Sequence, residues 1–445
     1  MSGNEALGAL ARIAQDLHGP DPLVHIYGRV AHISASGIGV TGLARHVKIG
    51  DFVHVLTDGG TIMTEVIKIN GSGITVLPLG SNNAISMGCR ARPLGNLKVS
   101  PDESWKGRIC NALAEPIDGK SHLRPGPNPV NLLAAPPKAM LRGLINERVT
   151  TGVRAIDLFT PLCYGQRIGI FAGSGVGKST LLAMMSRSDG FDTAIVALVG
   201  ERGREVKEFV HDVLGDGLKK SIVVVATSDE PPVMRRTAAL LATSLAEYFR
   251  DRGEKVLLVM DSLTRYAQAC REISLAAGEP PVARGYPPSV FSELPLLLER
   301  AGPGASGNGA ITGVYTVLVD GDDHNDPVAD TVRGTLDGHI VLDRQIAAGG
   351  RYPAIDLLLS ISRLAQKAWT PSEAATVSKW RKLLMRFEDS RDLRALGGYV
   401  RGGDSELDEA IALVPQLYAA LQQSPGDPVN GNFGPPIIPL KQLSN

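Results

Sequence analysis

The sequence predicts an α/β nucleotide-binding core, preceded by a small β-barrel and followed by a helical C-terminal domain. Three observations predict it. A glycine-rich turn joins an apolar strand to a helix between Ile168 and Met185. Strand-helix alternation runs from about Thr151 to Arg363. The β signal then stops, and helical patterns with clear caps take over.

The glycine-rich turn organises the rest. Ile168 to Phe171 reads as an apolar strand. It enters Ala172-Gly173-Ser174-Gly175-Val176-Gly177-Lys178-Ser179-Thr180 and continues into a helix through Leu181, Leu182, Met184 and Met185. This is a phosphate-binding loop, with Ala172 where the strict pattern has its first glycine. Gly173, Gly175 and Gly177 let backbone N–H groups turn inward around an anion, in conformations a side chain resists. The helix start adds its positive dipole end. Lys178 supplies a point charge for the terminal phosphates, and the Ser179 hydroxyl is the expected Mg2+ ligand. The bland alternative is a strand-to-helix turn with an incidental lysine, and it leaves both flanking elements to chance.

Composition sets bounds. The 445 residues suffice for two or three domains. Basic and acidic residues balance at 46 each, which argues against a general nucleic-acid or membrane surface. Cys89, Cys110, Cys163 and Cys270 form no CxxC pair and read as thiols in a reducing cytosol. No signal peptide is legible, and no apolar run reaches the ~18 residues a membrane helix needs. The expectation is a cytoplasmic protein that meets the membrane only through partners.

In chain order, residues 4–17 carry Leu7, Leu10, Ala14 and Leu17 at helical spacing, and Gly19-Pro20 ends that pattern. The helix either packs on its own chain or docks a partner. Next come short β-rich pieces, Val24 to Ile33, Ile38 to Thr41, Phe52 to Leu56, Thr61 to Ile69 and Ile74 to Leu77, separated by turns such as Asp58-Gly59-Gly60. Such spacing predicts a small closed barrel. Single-strand binding by a barrel needs stacking aromatics and a basic groove. Here only Tyr27 and Phe52 are aromatic and the charges nearly cancel, so no nucleic acid is expected. Residues 90–150, rich in Pro and Gly, read as a long wrapping connection. Further apolar strands are expected at Thr193 to Val199, Ser221 to Ala226, Val256 to Met260 and Gly313 to Val319, in a largely parallel sheet. Thr370-Pro371-Ser372-Glu373 is a capping box that starts a helix to about Phe387. A second helix spans Ser405 to Gln422, where Pro415 is expected to kink or shorten it. The tail from Ser424 reads as extended. The domain boundaries that follow are 1–20, 21–90, 91–365 and 366–445.

Four constellations narrow "nucleotide" further. Val256 to Met260 ends in Asp261, a carboxylate placed to orient Mg2+ or its waters. Glu201, Arg202 and their neighbours lie just past another strand. A carboxylate there polarises an attacking water, or the group is only a surface ion-pair cluster. Tyr352 precedes Pro353-Ala354-Ile355-Asp356 and a run ending Ser360-Ile361-Ser362-Arg363. The Tyr352 ring suits stacking on a base, and Arg363 suits an arginine finger in a neighbouring subunit's site. The alternative is a core strand ending in a solvated arginine. Asp322-Asp323-His324-Asn325-Asp326-Pro327 is an acidic turn, read as helix capping rather than a metal site.

Pro353-Ala354-Ile355-Asp356 with Ser360-Ile361-Ser362 resembles the signature of the rotary ATP synthase alpha/beta subunit family. The resemblance covers nearly the whole chain and implies a RecA-like core. Within that family, Asn131-Leu132-Leu133, Pro136 to Met140, Arg284 to Phe291 and Gly334 to Leu342 are similar to the flagellar type III protein-export ATPases. The resemblance implies ATP as substrate with Mg2+. It implies phosphate and metal roles for Lys178 and Ser179, a catalytic glutamate at Glu201 and a Mg2+-orienting acid at Asp261. It also implies basic residues near the γ-phosphate at Arg202 and Arg265, adenine contacts from Tyr352 and Tyr399, and a finger at Arg363. The partners implied are five further copies in a homo-hexamer, a central coiled-coil stalk protein, an export-apparatus regulator and, through partners, the membrane export gate. The acidic helix-turn motif of synthase catalytic subunits is absent after Arg363, where Gln366-Lys367-Ala368-Trp369 stands. A virulence-type secretion ATPase, a rotary synthase subunit, an RNA translocase and a nucleotide-sensing scaffold are the alternatives.

Overall fold

A computed structural model describes residues 25–80, 84–173, 175–305, 309–319 and 326–427. The expected N-terminal helix at 4–17, Ser174 of the loop, His324 with most of the acidic turn, and the tail beyond Asp427 lie outside the described residues.

The chain divides into two units, Met1–Leu97 with Leu275–Gly278, and the remainder. In the first, six strands close a barrel: Gly28–Ser34 (β1), Gly37–Thr41 (β2), Phe52–Thr57 (β3), Gly60–Asn70 (β4), Gly73–Pro78 (β5) and Arg90–Gly95 (β6). Their order is β1-β2-β5-β4-β3-β6, so no edge is left for stray pairing. Val30, Val40, Val53, Val55, Val66 and Val76 point inward and are essentially water-free. β-branched side chains suit this role because they pack well on a pleated surface. The sixth strand was hidden in sequence, since Arg90, Arg92 and Pro93 break the apolar alternation. It carries the barrel past the boundary read at residue 90.

The second unit is built on a sheet with an eight-strand path. Its strands are Arg108–Asn111 (β7), Arg167–Ala172 (β8), Thr193–Glu201 (β9), Ser221–Thr227 (β10), Lys255–Asp261 (β11), Ala310–Leu318 (β12), Gly338–Leu342 (β13) and Ile355–Ser362 (β14). The order is β14-β13-β8-β12-β11-β9-β10-β7, with Gly302–Pro303 paired onto β12 as a ninth piece. All path neighbours are parallel except β13 and β14. Residues 194–198, 222–226 and 256–260 are buried without alternation. A parallel sheet covered on both faces requires such runs. The connection read at 90–150 is thus interrupted by a sheet strand, β7, whose Arg108 and Asn111 masked it. Arg108 bonds Asp118 there through Nε at 2.6 Å.

Helices Lys178–Arg187 (α1), Pro232–Asp251 (α2) and Leu263–Ala276 (α3) follow β8, β10 and β11. Helices Pro371–Asp389 (α4) and Ser405–Leu421 (α5) form the C-terminal part. The Thr370/Glu373 capping box is formed. The Asp404 side chain caps α5 by accepting from the Glu406 and Leu407 N–H groups. Helix α5 runs through Pro415 and is not shortened by it. Leu413, Val414, Leu417 and Leu421 of α5 bury with Val377, Trp380 and Leu384 of α4 in the core cluster that includes the sheet. Each such aliphatic contributes ~2 kcal/mol by leaving water. Cys110, Cys163 and Cys270 are buried, Cys89 half-buried, and all four are free thiols.

The segment leading into β8 is fixed by one buried acid. Asp157 accepts from the Thr151 N–H and hydroxyl, both at 2.8 Å, and from the Gly152 N–H at 3.1 Å. Burial pushes its pKa up to about 6 against these donors. Asp157→Ala leaves three buried donors without an acceptor and is expected to cost ~3 kcal/mol in urea unfolding. A loss below ~1 kcal/mol means the loop is held by something else.

Candidate nucleotide site

Strand β8 delivers the chain to the loop at the carboxyl edge of the sheet, the edge where ligands bind in open parallel sheets. Gly175 and Gly177 adopt φ of +78° and +87°, the left-handed region where a Cβ is strained. Gly177 is the residue before α1, so the helix N-terminus opens directly on the turn. Val176 is buried and anchors the loop, whereas Ser179 is exposed and Thr180 half-buried on the first helical turn. A Cβ on Gly177 would sit 3.4 Å from the Tyr352 ring, which places that ring against the loop. Tyr352 is 42% exposed, leaving a face for a planar partner.

Two carboxylates converge on Lys178 from neighbouring strand ends. Its Nζ lies 2.5 Å from Asp261 Oδ1 and 3.5 Å from Glu201 Oε1. Asp261 is 2% exposed. Burial works against the Lys178 ammonium, but Asp261 and Glu201 outweigh it and hold its pKa above the ordinary lysine value. Burial raises the Glu201 pKa to about 7, opposed by Lys178 and reinforced by repulsion from Asp261. The pocket thus holds two acids against one ammonium. That surplus of negative charge, beside an exposed Ser179 hydroxyl, is an oxygen-donor set that fits Mg2+.

Two residues escaped the sequence reading. Thr316, fully buried on β12, donates to Asp261 Oδ1 at 2.7 Å. It pairs in register with Ile170 of the loop strand, so it stands between loop and acid. A lone threonine in an apolar strand gives no signal by itself. Gly200 has φ of +70°, and a Cβ there would fall 2.8 Å from Arg265 Cβ. Its missing side chain lets Arg265, on the first turn of α3, lie beside the strand end that bears Glu201. Arg265 donates through Nη1 to Gln268 at 2.9 Å, while its buried Nε has no partner among the described residues.

Other expected residues sit apart. Arg202 is largely exposed and pairs with Glu205 at 3.4 Å. The Tyr399 hydroxyl donates to Asp408 Oδ1 at 2.5 Å, and among the described residues no hydrogen bond or ring contact joins it to the loop. Asp326 caps its helix by accepting from Val328 and Ala329 N–H groups, as the capping reading expects.

Arg363 lies at the opposite edge of the sheet. Strand β14 is antiparallel, so its last residue, Ser362, pairs with Gly338 at the entry end of β13. Arg363 N–H donates to Asp337 O, and Asp337 N–H donates to Arg167 O, both at 2.9 Å. Arg167 begins β8, whereas the loop follows its last residue, Ala172. At ~3.3 Å per residue the loop is ~17 Å or more from Arg363. The guanidinium is exposed, with one long bond from Nη2 to Arg333 O at 3.4 Å.

Comparison with known proteins identifies the family. The ATP synthase alpha/beta family nucleotide-binding domain matches residues 152–362. The T3SS EscN ATPase C-terminal domain matches residues 369–432. The flagellum-specific ATP synthase of Rhizobium meliloti (strain 1021) is 53% identical over 422 residues, covering 95% of this chain and 90% of that protein. The assembled ATPase EscN of the enteropathogenic E. coli type III secretion system superposes with TM-score 0.83 at 41% identity, covering 90% of this chain and 96% of that one. EscN in complex with its central stalk EscO gives TM-score 0.82 at 40% identity with the same coverage. At 53% identity over 95% of its length, and with the nucleotide-binding domain matched over residues 152–362, the chain belongs to the flagellum-specific ATP synthases of the ATP synthase alpha/beta family.

Proposed function

We propose that the chain is an ATPase that works as a ring of six identical copies, and that its hydrolysis energises or prepares type III export of flagellar proteins. One observation carries the ring. The loop with Lys178, Glu201 and Asp261 lies at one edge of the sheet, and Arg363 lies at the other. One chain therefore holds two halves of a site that its own fold keeps apart. A heterologous ring brings half from each neighbour together and closes by rotation.

Glu201 holds the attacking water in line with the γ-phosphorus and takes its proton. Lys178 and the loop N–H groups bind the phosphates, and Arg265 offers its unpartnered Nε nearby. Ser179 and Asp261, the latter steadied by Thr316, would hold Mg2+, which supplies charge neutralisation for the phosphates. Tyr352 stacks on the adenine, and Tyr399, which rests on Asp408 and apart from the loop, would have to move to serve as a second ring. Arg202 requires rotation away from Glu205 to reach a phosphate. Arg363 of the neighbour stabilises charge on the transferring group.

Identity of 53% with a flagellum-specific relative against 41% with EscN supports the flagellar over the virulence branch. EscO on EscN supports a central stalk partner here. No helix among the described residues is long and apolar enough to cross a membrane. The reading places the enzyme in the cytoplasm, held at the export gate by a regulator and the stalk.

Glu201→Gln tests the chemistry. It is expected to spare ATP binding and lower turnover ~10^2- to 10^4-fold. In the native chain, Glu201 must be ionised to act, so kcat/KM should fall on the acid side with a midpoint near the pKa of about 7. The substitution should flatten that limb. Full hydrolysis by Glu201→Gln refutes the role.

A further inference from the structure

Arg363 is exposed at its tip and locked at its base, and the lock is buried. Gln166, 0% exposed, immediately precedes β8. Its Nε2 donates to Ser362 Oγ at 2.9 Å and, more weakly, to Asp337 O at 3.4 Å. Its Oε1 accepts from the Cys163 N–H at 3.0 Å. Ser362 Oγ passes the chain on, donating to Pro161 O at 2.8 Å. Asp337 O is the acceptor of the Arg363 N–H. The Asp337 carboxylate accepts from the Arg167 N–H at 3.0 Å and from Arg167 Nε at 3.3 Å. The residue before Arg363 and the acceptor of its own N–H therefore both hang on one glutamine amide.

We propose that Gln166 and Ser362 form a brace that positions Arg363 for the neighbouring copy's site. The proposal rests on Arg363 acting in that site. A buried amide satisfied on both its oxygen and its nitrogen is a rigid support, because each lost bond leaves a polar group without water. Transition-state contacts need such support, since misplacement by ~1 Å can cost ~10^2-fold in rate. Gln166 is also the residue before the strand that ends in the phosphate loop. The brace thus joins the two half-sites of one chain through β8. Neither Gln166 nor Ser362 touches the loop, so each acts through Arg363 as a positioning residue.

The test measures capture of ADP with fluoroaluminate, a mimic of the transferring phosphoryl group that counts completed sites without requiring turnover. Gln166→Met keeps the side-chain length and removes the amide. Alone, it is expected to capture ADP ~10- to 100-fold more slowly than the native chain while its own loop binds ATP within about 2-fold of normal. Mixed in equal amounts with Lys178→Ala, whose finger is intact and whose loop is disabled, it should regain rapid capture at about a quarter of all subunits, the share of heterologous contacts that join an intact loop to an intact finger. Ser362→Ala, which removes the hydroxyl that accepts from Gln166 and donates to Pro161 O, should show a smaller loss with the same rescue, and it carries the comparison if Gln166→Met does not fold. Arg363→Ala mixed with Lys178→Ala is the reference. If that mixture is not rescued, the shared-site reading itself falls. If it is rescued but Gln166→Met and Ser362→Ala capture normally alone, or stay slow when mixed, the brace is overturned.

Discussion

Arg363→Ala is expected to lower ATP turnover by ~10^3- to 10^5-fold, the range an arginine finger supplies. ATP binding by the same chain should be unchanged. The asymmetry follows from the sheet. Strand β14 runs antiparallel to β13, so its end lies level with Arg167 and a full strand from Gly173. No side chain spans that gap within one copy. The guanidinium also contributes little to its own fold, having one bond of 3.4 Å from Nη2. Equilibrium binding of a fluorescent ATP analogue and steady-state turnover separate the two effects. A substitution that weakened binding as much as turnover would place Arg363 in its own site.

Lys178→Ala is expected to abolish turnover, a loss of ~10^3-fold or more, and to weaken ATP binding as well. Two consequences combine. The phosphates lose their point charge, and Asp261 and Glu201 face one another without the ammonium between them. Asp261 keeps the Thr316 hydroxyl at 2.7 Å, so the strand end retains one support. Lys178→Arg should not restore activity, because a planar fork does not replace a compact ammonium between two carboxylates. Turnover within ~10-fold of native by Lys178→Ala would remove the loop from the mechanism.

The parts of this site that were legible in sequence are those whose residue types the chemistry dictates. Glycines before Gly-Lys-Ser, and acids at the ends of apolar strands, announce themselves because neither packing nor solvation asks for them there. Tyr352 and Arg363 were read as a stacking ring and a finger beside the alternative of a core strand ending in a solvated arginine, and family resemblance favoured the functional reading. Topology then explained Arg363: an antiparallel last strand sends it to the far edge. Thr316, Gly200 and Gln166 were not legible. Each is a single small or polar residue whose significance comes from a neighbour distant in sequence, namely Asp261, Arg265 and Ser362. In the fold, β6 and β7 were missed for a related reason. Arginines and a proline interrupt their alternation, and their pairing partners, β3 and β10, lie far off in sequence. The helices α4 and α5 were legible because caps and apolar spacing are local. The shortening that Pro415 suggested does not occur, since the packing of Leu413, Val414 and Leu417 outweighs one lost backbone bond.

The central claim is that two copies of this chain complete one site. Steady-state ATP hydrolysis per subunit, measured across protein concentrations spanning ring assembly, tests it most directly. The account predicts activity that rises with concentration to a plateau, is indifferent to added RNA, and is lost at every concentration in Arg363→Ala. Activity per subunit that stays flat down into the monomer range, or that survives in Arg363→Ala, would contradict it.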